Sequence, residues 1–241
     1  MSTATPPSAR DCLRLDAPRC LRRTQGRETF ALGEDLIVKR TTETAREGLW
    51  PWFAVRSAGE REFAALGALA ACGLPVPRAL DWAEERRDGA RVSACVMERV
   101  PHVVSLRERL AGAHAGPRRE LLRALLELVV RFHAAGFIHR DLYLQHVLLR
   151  AEDDALVLID VGRARRARSW RSRWHVKDLA SVLHSMPEAV GARERLRFLA
   201  GWLDARGIRS RAARRRWVRA EERKRRRIAA HVPRDERGGT A

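Results

Sequence analysis

The chain has 241 residues, 45% of them apolar and 32% charged, with a formal net charge of +18. That is enough apolar chain for a core and for two lobes, and it excludes a disordered protein. No run approaches the roughly 18 apolar residues of a membrane span, and Met1–Pro18 carries Arg10 and Arg14 but no apolar block, so neither a membrane helix nor a secretory leader is expected and the chain is placed in the cytoplasm.

Residues 1–18 contain Pro, Ser and Thr and are expected to fray. Two or three short strands are expected from Arg19 to Lys39. Glu28–Leu32 and Leu36–Lys39 form a hairpin around Gly33-Glu34-Asp35. Lys39 is one of only three lysines among 48 basic residues, with Lys177 and Lys224. In a chain so biased towards arginine, a lysine ending a strand points to a compact ammonium meeting phosphate oxygens, which a guanidinium cannot copy. A connection with Trp50-Pro51-Trp52-Phe53 follows. Ser57 caps a helix to about Cys72, with Phe63, Leu66, Leu69 and Ala70 at helical spacing, stopped by Gly73 and Pro75. Val76–Trp82 and Val92–Val100 are further strands about an Arg86–Gly89 turn. The cysteines, Cys12, Cys20, Cys72 and Cys95, have no C-x-x-C spacing and read as reduced thiols.

From Pro101 the pattern turns helical. Pro117 to about Ala135 is a helix with Leu121, Leu122, Leu125, Leu128, Val129 and Phe132 as its apolar stripe. Helices are also expected at Trp174–Met186, Glu188 to about Arg206 and Ser210 to about Ala230. The fold class expected is α+β and bilobal, as in protein kinases: a β-rich first lobe over 19–100 and a helical second lobe over 101–241. Met97-Glu98-Arg99-Val100 is the hinge, with Met97 and Glu98 as nucleotide contacts.

The chemistry sits in Phe137-Ile138-His139-Arg140-Asp141 and, nineteen residues beyond Asp141, in Asp160, which ends the apolar strand Leu156–Ile159. This is the catalytic half of a phosphotransferase site. Asp141 is placed to take the proton of an acceptor hydroxyl. Asp160 is the expected magnesium ligand, since a hard cation prefers a carboxylate. Gly162 is expected to supply the permissive dihedrals of an Asp-x-Gly turn. Lys39 bridges the phosphates of ATP. Glu62, one turn before Leu66 and so on the border of the buried face, orients Lys39 in preference to Glu60. There is no G-x-G-x-x-G loop, and Gly26 is the one glycine near the first hairpin that can meet the nucleotide.

His139-Arg140-Asp141-Leu142-Tyr143-Leu144-Gln145-His146-Val147-Leu148-Leu149 resembles the His-Arg-Asp-x-Tyr-x-x-His-x-Leu-Leu signature of bacterial lipopolysaccharide-core kinases, the Kdo and heptose kinases. Ile159-Asp160-Val161-Gly162-Arg163-Ala164 and Trp174-His175-Val176-Lys177-Asp178-Leu179-Ala180 are similar to two further motifs of that family, and the resemblance spans about Gly26 to Arg227. It implies a kinase-like fold, ATP with Mg²⁺, and a sugar hydroxyl of the lipopolysaccharide inner core as acceptor. It implies Asp141 as the catalytic aspartate and Asp160 as the metal ligand. It also puts His146 where protein kinases place a metal-binding asparagine. Neutral imidazole is a poor magnesium ligand, so His146 either binds metal or hydrogen-bonds the loop or a phosphate oxygen. Asp178 is expected to accept backbone hydrogen bonds that pin the loop.

Seven basic residues and no acidic one lie between Arg163 and Lys177, and eleven basic residues against Glu221 and Glu222 lie between Arg209 and Arg227. Such clusters attract anions: lipid headgroups, phosphorylated sugars or nucleic acid. With the acceptor that the resemblance implies, a glycolipid and the anionic cytoplasmic face of the inner membrane are the expected partners, and nucleic acid is not. Trp170 and Trp174 are open to three readings: a platform under a sugar, a place at a membrane interface, or ordinary core, the commonest fate of a tryptophan in such a place. Two rival readings stand beside this one: an atypical protein kinase of the same fold, and a catalytically silent kinase-like module that binds membrane or nucleic acid.

Overall fold

The computed structural model describes residues 8–16, 19–24, 26–44, 56–167 and 173–230. The expected connection at Trp50–Phe53, and Trp170, lie outside the described residues. The chain divides into two compact units: Met1–Pro101 with Val157–Arg163, and His102–Leu156 with Ala164–Ala241. The boundary expected after residue 100 falls beside Pro101. The segment carrying Asp160, expected in the second lobe, groups with the first unit. There the Leu158 N–H donates to the Pro75 carbonyl at 2.8 Å.

The first unit contains α1 (Ala9–Cys12), β1 (Arg19–Thr24), β2 (Arg27–Leu32), β3 (Leu36–Thr44), α2 (Ala58–Ala70), β4 (Ala79–Arg87) and β5 (Ala90–Glu98). Its strands form one antiparallel sheet in the order β1-β2-β3-β5-β4. The β4–β5 hairpin turns at Asp88-Gly89, with φ of 49° and 73°, the left-handed pair that matches strand twist. Alternation puts Phe30, Val38, Val92, Ala94 and Val96 on one face, and Cys12 and Leu13 complete that core. On the other face lie Ser93 and Cys95, the latter opposite Lys39. The Gly59 N–H donates to Ser93 Oγ at 3.0 Å, which fixes the start of α2 there.

The expected fraying of residues 1–18 is not seen over residues 8–16. Ser8 and Asp11 form a capping box for α1. The Ala9 N–H donates to Asp81 at 2.8 Å, and Arg40 donates to the carbonyls of Cys12 at 3.1 Å and Leu15 at 2.7 Å. An element of four residues is too short to show a period, and its partners lie far along the chain.

The second unit contains β6 (His102–Ser105), α3 (Leu106–Gly112), α4 (Ala115–Ala134), β7 (Phe137–Ile138), a 3₁₀ turn at Leu144–His146 and β8 (Val147–Arg150). β9 (Leu156–Leu158) leads into the first unit. β10 (Arg165–Arg166), α5 (Arg173–Ser185), α6 (Ala192–Ala205) and α7 (Arg211–Ala229) follow. β6 pairs antiparallel with β8, and β7 with β10. α6 begins four residues later than expected, because the Val190 N–H closes a turn on the Pro187 carbonyl at 3.0 Å and Glu194 caps Gly191. The basic C-terminal segment is a helix, as its Trp217 and Val218 suggested. Trp217 packs on the buried Trp202 with ring centroids 5.2 Å apart. Among the described residues no helix is long and apolar enough to cross a membrane.

Candidate active site

In the first unit, β3, α2 and the segment after β9 bring together Lys39, Glu62 and Asp160. Lys39 Nζ donates to Glu62 Oε1 at 2.7 Å and to Asp160 Oδ1 at 3.0 Å. The phase of α2 selects Glu62: its buried positions are Gly59, Glu62, Ala65, Leu66 and Leu69, one helical stripe. Glu60 lies off that stripe, within 3.3 Å of Arg56. Glu43 anchors the start of α2, accepting from the Ala58 N–H at 3.2 Å and pairing with Arg61 at 3.2 Å and Arg91 at 3.0 Å. Burial opposes the charge on Lys39, but Glu62 and then Asp160 outweigh it, and its pKa is pushed up to about 12. Burial likewise pushes the neighbouring Cys95 thiol up to about 12, so it stays protonated.

Asp160 itself, not Gly162, adopts the left-handed conformation, with φ of 58°. The dihedral reason expected for Gly162 is therefore replaced by a steric one. A Cβ on Gly162 would lie 2.2 Å from Glu62 Oε2. Gly26 does hold a left-handed turn, φ 70°, and a Cβ there would lie 2.9 Å from the Thr42 carbonyl oxygen. Packing on β3 thus explains Gly26 without a ligand. At the end of β5, Met97 is buried and the Glu98 N–H donates to the Arg78 carbonyl at 2.9 Å, while its carboxylate pairs with the Arg78 guanidinium.

In the second unit the loop after β7 holds Asp141. Asp178 of α5 is fully buried and accepts the backbone N–H groups of His139 and Arg140, each at 2.7 Å, as expected for a residue that pins this loop. Arg140 has φ of 74°, a strained conformation held by its N–H on Asp178 and its carbonyl on Lys177 Nζ. Lys177 Nζ also donates to Asp141 Oδ1 at 3.0 Å. His146 has its Nδ1 3.0 Å from the Asp141 carbonyl oxygen; a carbonyl only accepts, so Nδ1 carries the proton. The Leu144 N–H donates to Ser185 Oγ at 2.9 Å, tying the 3₁₀ turn to the end of α5.

Behind Asp178 runs a buried relay. Trp202 Nε1 donates to His133 Nδ1 at 2.9 Å, and His133 Nε2 lies 3.3 Å from Asp178 Oδ2. An indole N–H only donates, so Nδ1 of His133 is an acceptor and its Nε2–H faces the carboxylate. Of the residues singled out in the sequence, the first unit brings together Lys39, Glu62 and Asp160, and the second places Asp178 under the loop that carries Asp141. The sequence did not announce Lys177 as the partner of Asp141, nor the contacts of Ser185, His133 and Trp202. For Lys177 a signal existed: the same scarcity of lysine that singled out Lys39.

These residues fit a divalent hard cation held with a nucleotide. The Asp160 side chain is 47% exposed and offers oxygen. Among the described residues no three His, Cys, Asp or Glu side chains gather as a metal cage.

Comparison with known proteins adds the family. The sequence model of the lipopolysaccharide kinase (Kdo/WaaP) family matches residues 20–202, more than half of the chain. Over 158 residues the chain is 34% identical to the lipopolysaccharide core heptose(I) kinase WaaP of Pseudomonas aeruginosa, covering 58% of this chain and 57% of that protein. Over 136 residues it is 36% identical to the 3-deoxy-D-manno-octulosonic acid kinase of Stenotrophomonas maltophilia, covering 55% and 51%. The chain thus spans about half the length of the curated relatives it matches. The solved structure of WaaP in complex with acyl carrier protein superimposes with a TM-score of 0.66 at 26% identity, over 90% of this chain and 91% of that one. The fold is the kinase-like α+β class that the sequence led one to expect.

Proposed function

This chain belongs to the lipopolysaccharide kinase (Kdo/WaaP) family, and we propose that it transfers the γ-phosphoryl group of ATP to a sugar hydroxyl, of Kdo or heptose, in the lipopolysaccharide inner core. The observation that carries this reading is the pair of lysine-held aspartates: Asp160 at 3.0 Å from Lys39, and Asp141 at 3.0 Å from Lys177 on a backbone-pinned loop.

Phosphoryl transfer asks the protein for positioning and charge stabilisation more than for covalent chemistry. Lys39, steadied by Glu62, sets its ammonium against the phosphate oxygens. Asp160 holds magnesium, which neutralises phosphate charge when bound. Asp141 accepts a hydrogen bond from the acceptor hydroxyl. As the new O–P bond forms and the bond to ADP breaks, Asp141 takes the hydroxyl proton. Lys177 fixes the Asp141 carboxylate and keeps its charge balanced. His146, whose Nδ1–H is committed to the Asp141 carbonyl, shapes the loop; as a metal ligand it has only Nε2 to offer. Gly26, Met97 and Glu98 border the nucleotide in this reading. The Glu98 N–H is committed to Arg78, so other groups of the hinge meet the base.

The acceptor implies work on the cytoplasmic face of the inner membrane, and the basic residues at Arg163–Lys177 and Arg209–Arg227 suit an anionic surface. WaaP has been solved with acyl carrier protein, and we carry that partner over to this chain as part of the same reading.

The test is transfer from Mg-ATP to inner-core lipopolysaccharide, lipid A bearing Kdo, a generic protein and no acceptor, with Asp141→Asn as the blank. Label on the glycolipid, reduced about 10²–10⁴-fold in the blank while nucleotide binding persists, is the expected result. Label on the protein acceptor alone would move the assignment to a protein kinase. Near-normal turnover by Asp141→Asn would remove Asp141 from the reaction.

A further inference from the structure

The face of the second unit beside Asp141 gathers positive charge around one aromatic ring. Four cations approach the Trp174 ring: Arg140 with its guanidinium carbon 4.3 Å from the ring centroid, Arg173 at 5.1 Å, Arg165 at 5.4 Å and Lys177 Nζ at 5.9 Å. Trp174 stands in the first turn of α5, which carries no acidic residue, so the positive end of the helix dipole adds to the same charge. From α7, packed along α5, Lys224 joins the group. Its pKa is lowered by burial and then by the charges of Lys177, Arg227 and Arg173. Among the described residues, Arg165, Arg173, Lys224 and Arg227 have no carboxylate within ion-pair distance. Elsewhere in this chain arginines do find carboxylates, as Arg40 does with Glu28, Arg118 with Glu194 and Arg150 with Asp153.

Attraction to one ring does not offset the mutual repulsion of so many like charges. Such an arrangement is favourable when an anion completes it, and a planar guanidinium matches a carboxylate or phosphate in two hydrogen bonds. Lys177 links the cluster to the reaction, since the same ammonium touches the Asp141 carboxylate at 3.0 Å. We propose that the cations around Trp174 form a subsite for an anionic group, carboxylate or phosphate, carried by the acceptor next to its reacting hydroxyl. The inference rests on the sugar-kinase reading and sharpens it. The acceptor is selected by its charge, and Trp174 with its cations holds that charge so that the hydroxyl meets Asp141.

The full chain carrying Arg173→Ala with Lys224→Ala is the variant; the side-chain partner of Asp141 is Lys177, which the variant keeps. Its KM for inner-core lipopolysaccharide is expected to rise about tenfold or more, with KM for ATP unchanged within about twofold. Amidating the acceptor's carboxylates, or removing its phosphates, should raise KM similarly in the unaltered protein. Whichever treatment also abolishes the variant's effect identifies the anion. An equal effect on native and charge-stripped acceptors, or no effect, overturns the subsite. Arg173→Lys with Lys224→Arg keeps the charges and should keep at least part of the selectivity.

Calorimetry with free Kdo and its methyl ester, and with a phosphorylated heptose and its parent sugar, needs no turnover. Charge-selective binding lost in the alanine variant, in a protein that transfers no phosphate, would leave the subsite standing and sink the kinase reading. Equal binding within both pairs overturns the subsite itself.

Discussion

Each unit of this molecule holds an aspartate against a lysine at 3.0 Å, yet the two are built differently. Asp160 has a side chain 47% exposed, and Lys39, shared with Glu62, is its ion-pair partner. Asp141 is 21% exposed and rides on a loop whose backbone N–H groups end on Asp178, a fully buried carboxylate. The difference follows from what each must do under the proposed reaction. A metal ligand trades its lysine contact for cation and phosphate, so its site is assembled from exchangeable ion pairs. A proton acceptor must hold one orientation, so its loop is fixed by hydrogen bonds in a dry interior, where breaking one is expensive.

The largest way to break this contrast is to remove the buried anchor. Asp178→Ala strips the acceptor from the His139 and Arg140 N–H groups and from His133. Each buried donor left unsatisfied costs about 1–3 kcal/mol, so a loss of about 3 kcal/mol or more is expected in denaturant unfolding, together with loss of transfer. Glu62→Gln, the counterpart in the first unit, should reduce transfer about tenfold or more while costing clearly less stability than Asp178→Ala, because the amide oxygen can still accept from Lys39 and Lys39 keeps Asp160. Equal losses of stability in the two variants would dissolve the distinction.

Lys39→Arg comes next. It preserves charge, but a planar fork cannot occupy the compact position between Glu62 and Asp160, and transfer is expected to fall about 10²-fold or more. The pH arm has a definite sign. The folded pKa of Lys39, about 12, lies above its ordinary value of 10.5, so the ion pairs contribute fully below the ordinary value and are lost as pH rises through about 12. From pH 6 to 9 the Lys39 ammonium should therefore add no titration to the rate profile. A limb in that range that disappears in Lys39→Arg would refute the assignment.

How much of this was legible beforehand follows the same division. The first unit's cluster could be read because its signals are local: a strand-end lysine in an arginine-rich chain, a glutamate in phase with a helical stripe, an aspartate after an apolar strand. The loop's anchor was legible through its motif. Its deeper support was not, since His133 lies 45 residues from Asp178 and Trp202 lies 69 from His133 along the chain, and a histidine or tryptophan in an apolar stripe looks like ordinary core. The helix at Ala9–Cys12 escaped for a related reason: it is held by Asp81 and Arg40, residues that nothing in its own few positions announces. Gly162 was found for the wrong reason, because a motif records which residue is required and not why.

That last point supplies the smallest and most discriminating change. At Gly162 φ lies outside the left-handed range, so the backbone accepts alanine, and the only obstacle is the Glu62 carboxylate 2.2 Å from the new methyl group. In Gly162→Ala the carboxylate must turn away, and its other oxygen then leaves Lys39, which it now holds at 2.7 Å. Stability should fall by about 1 kcal/mol and KM for Mg-ATP should rise several-fold, roughly the effect of misplacing one ion pair. If a dihedral requirement were the cause, no change at position 62 would help. If the steric account is right, shortening the acid should relieve the contact, so that Gly162→Ala with Glu62→Asp is less impaired than the sum of the single variants. Additive losses would return Gly162 to the dihedral explanation and weaken the picture of the first unit as a set of side chains fitted around one lysine.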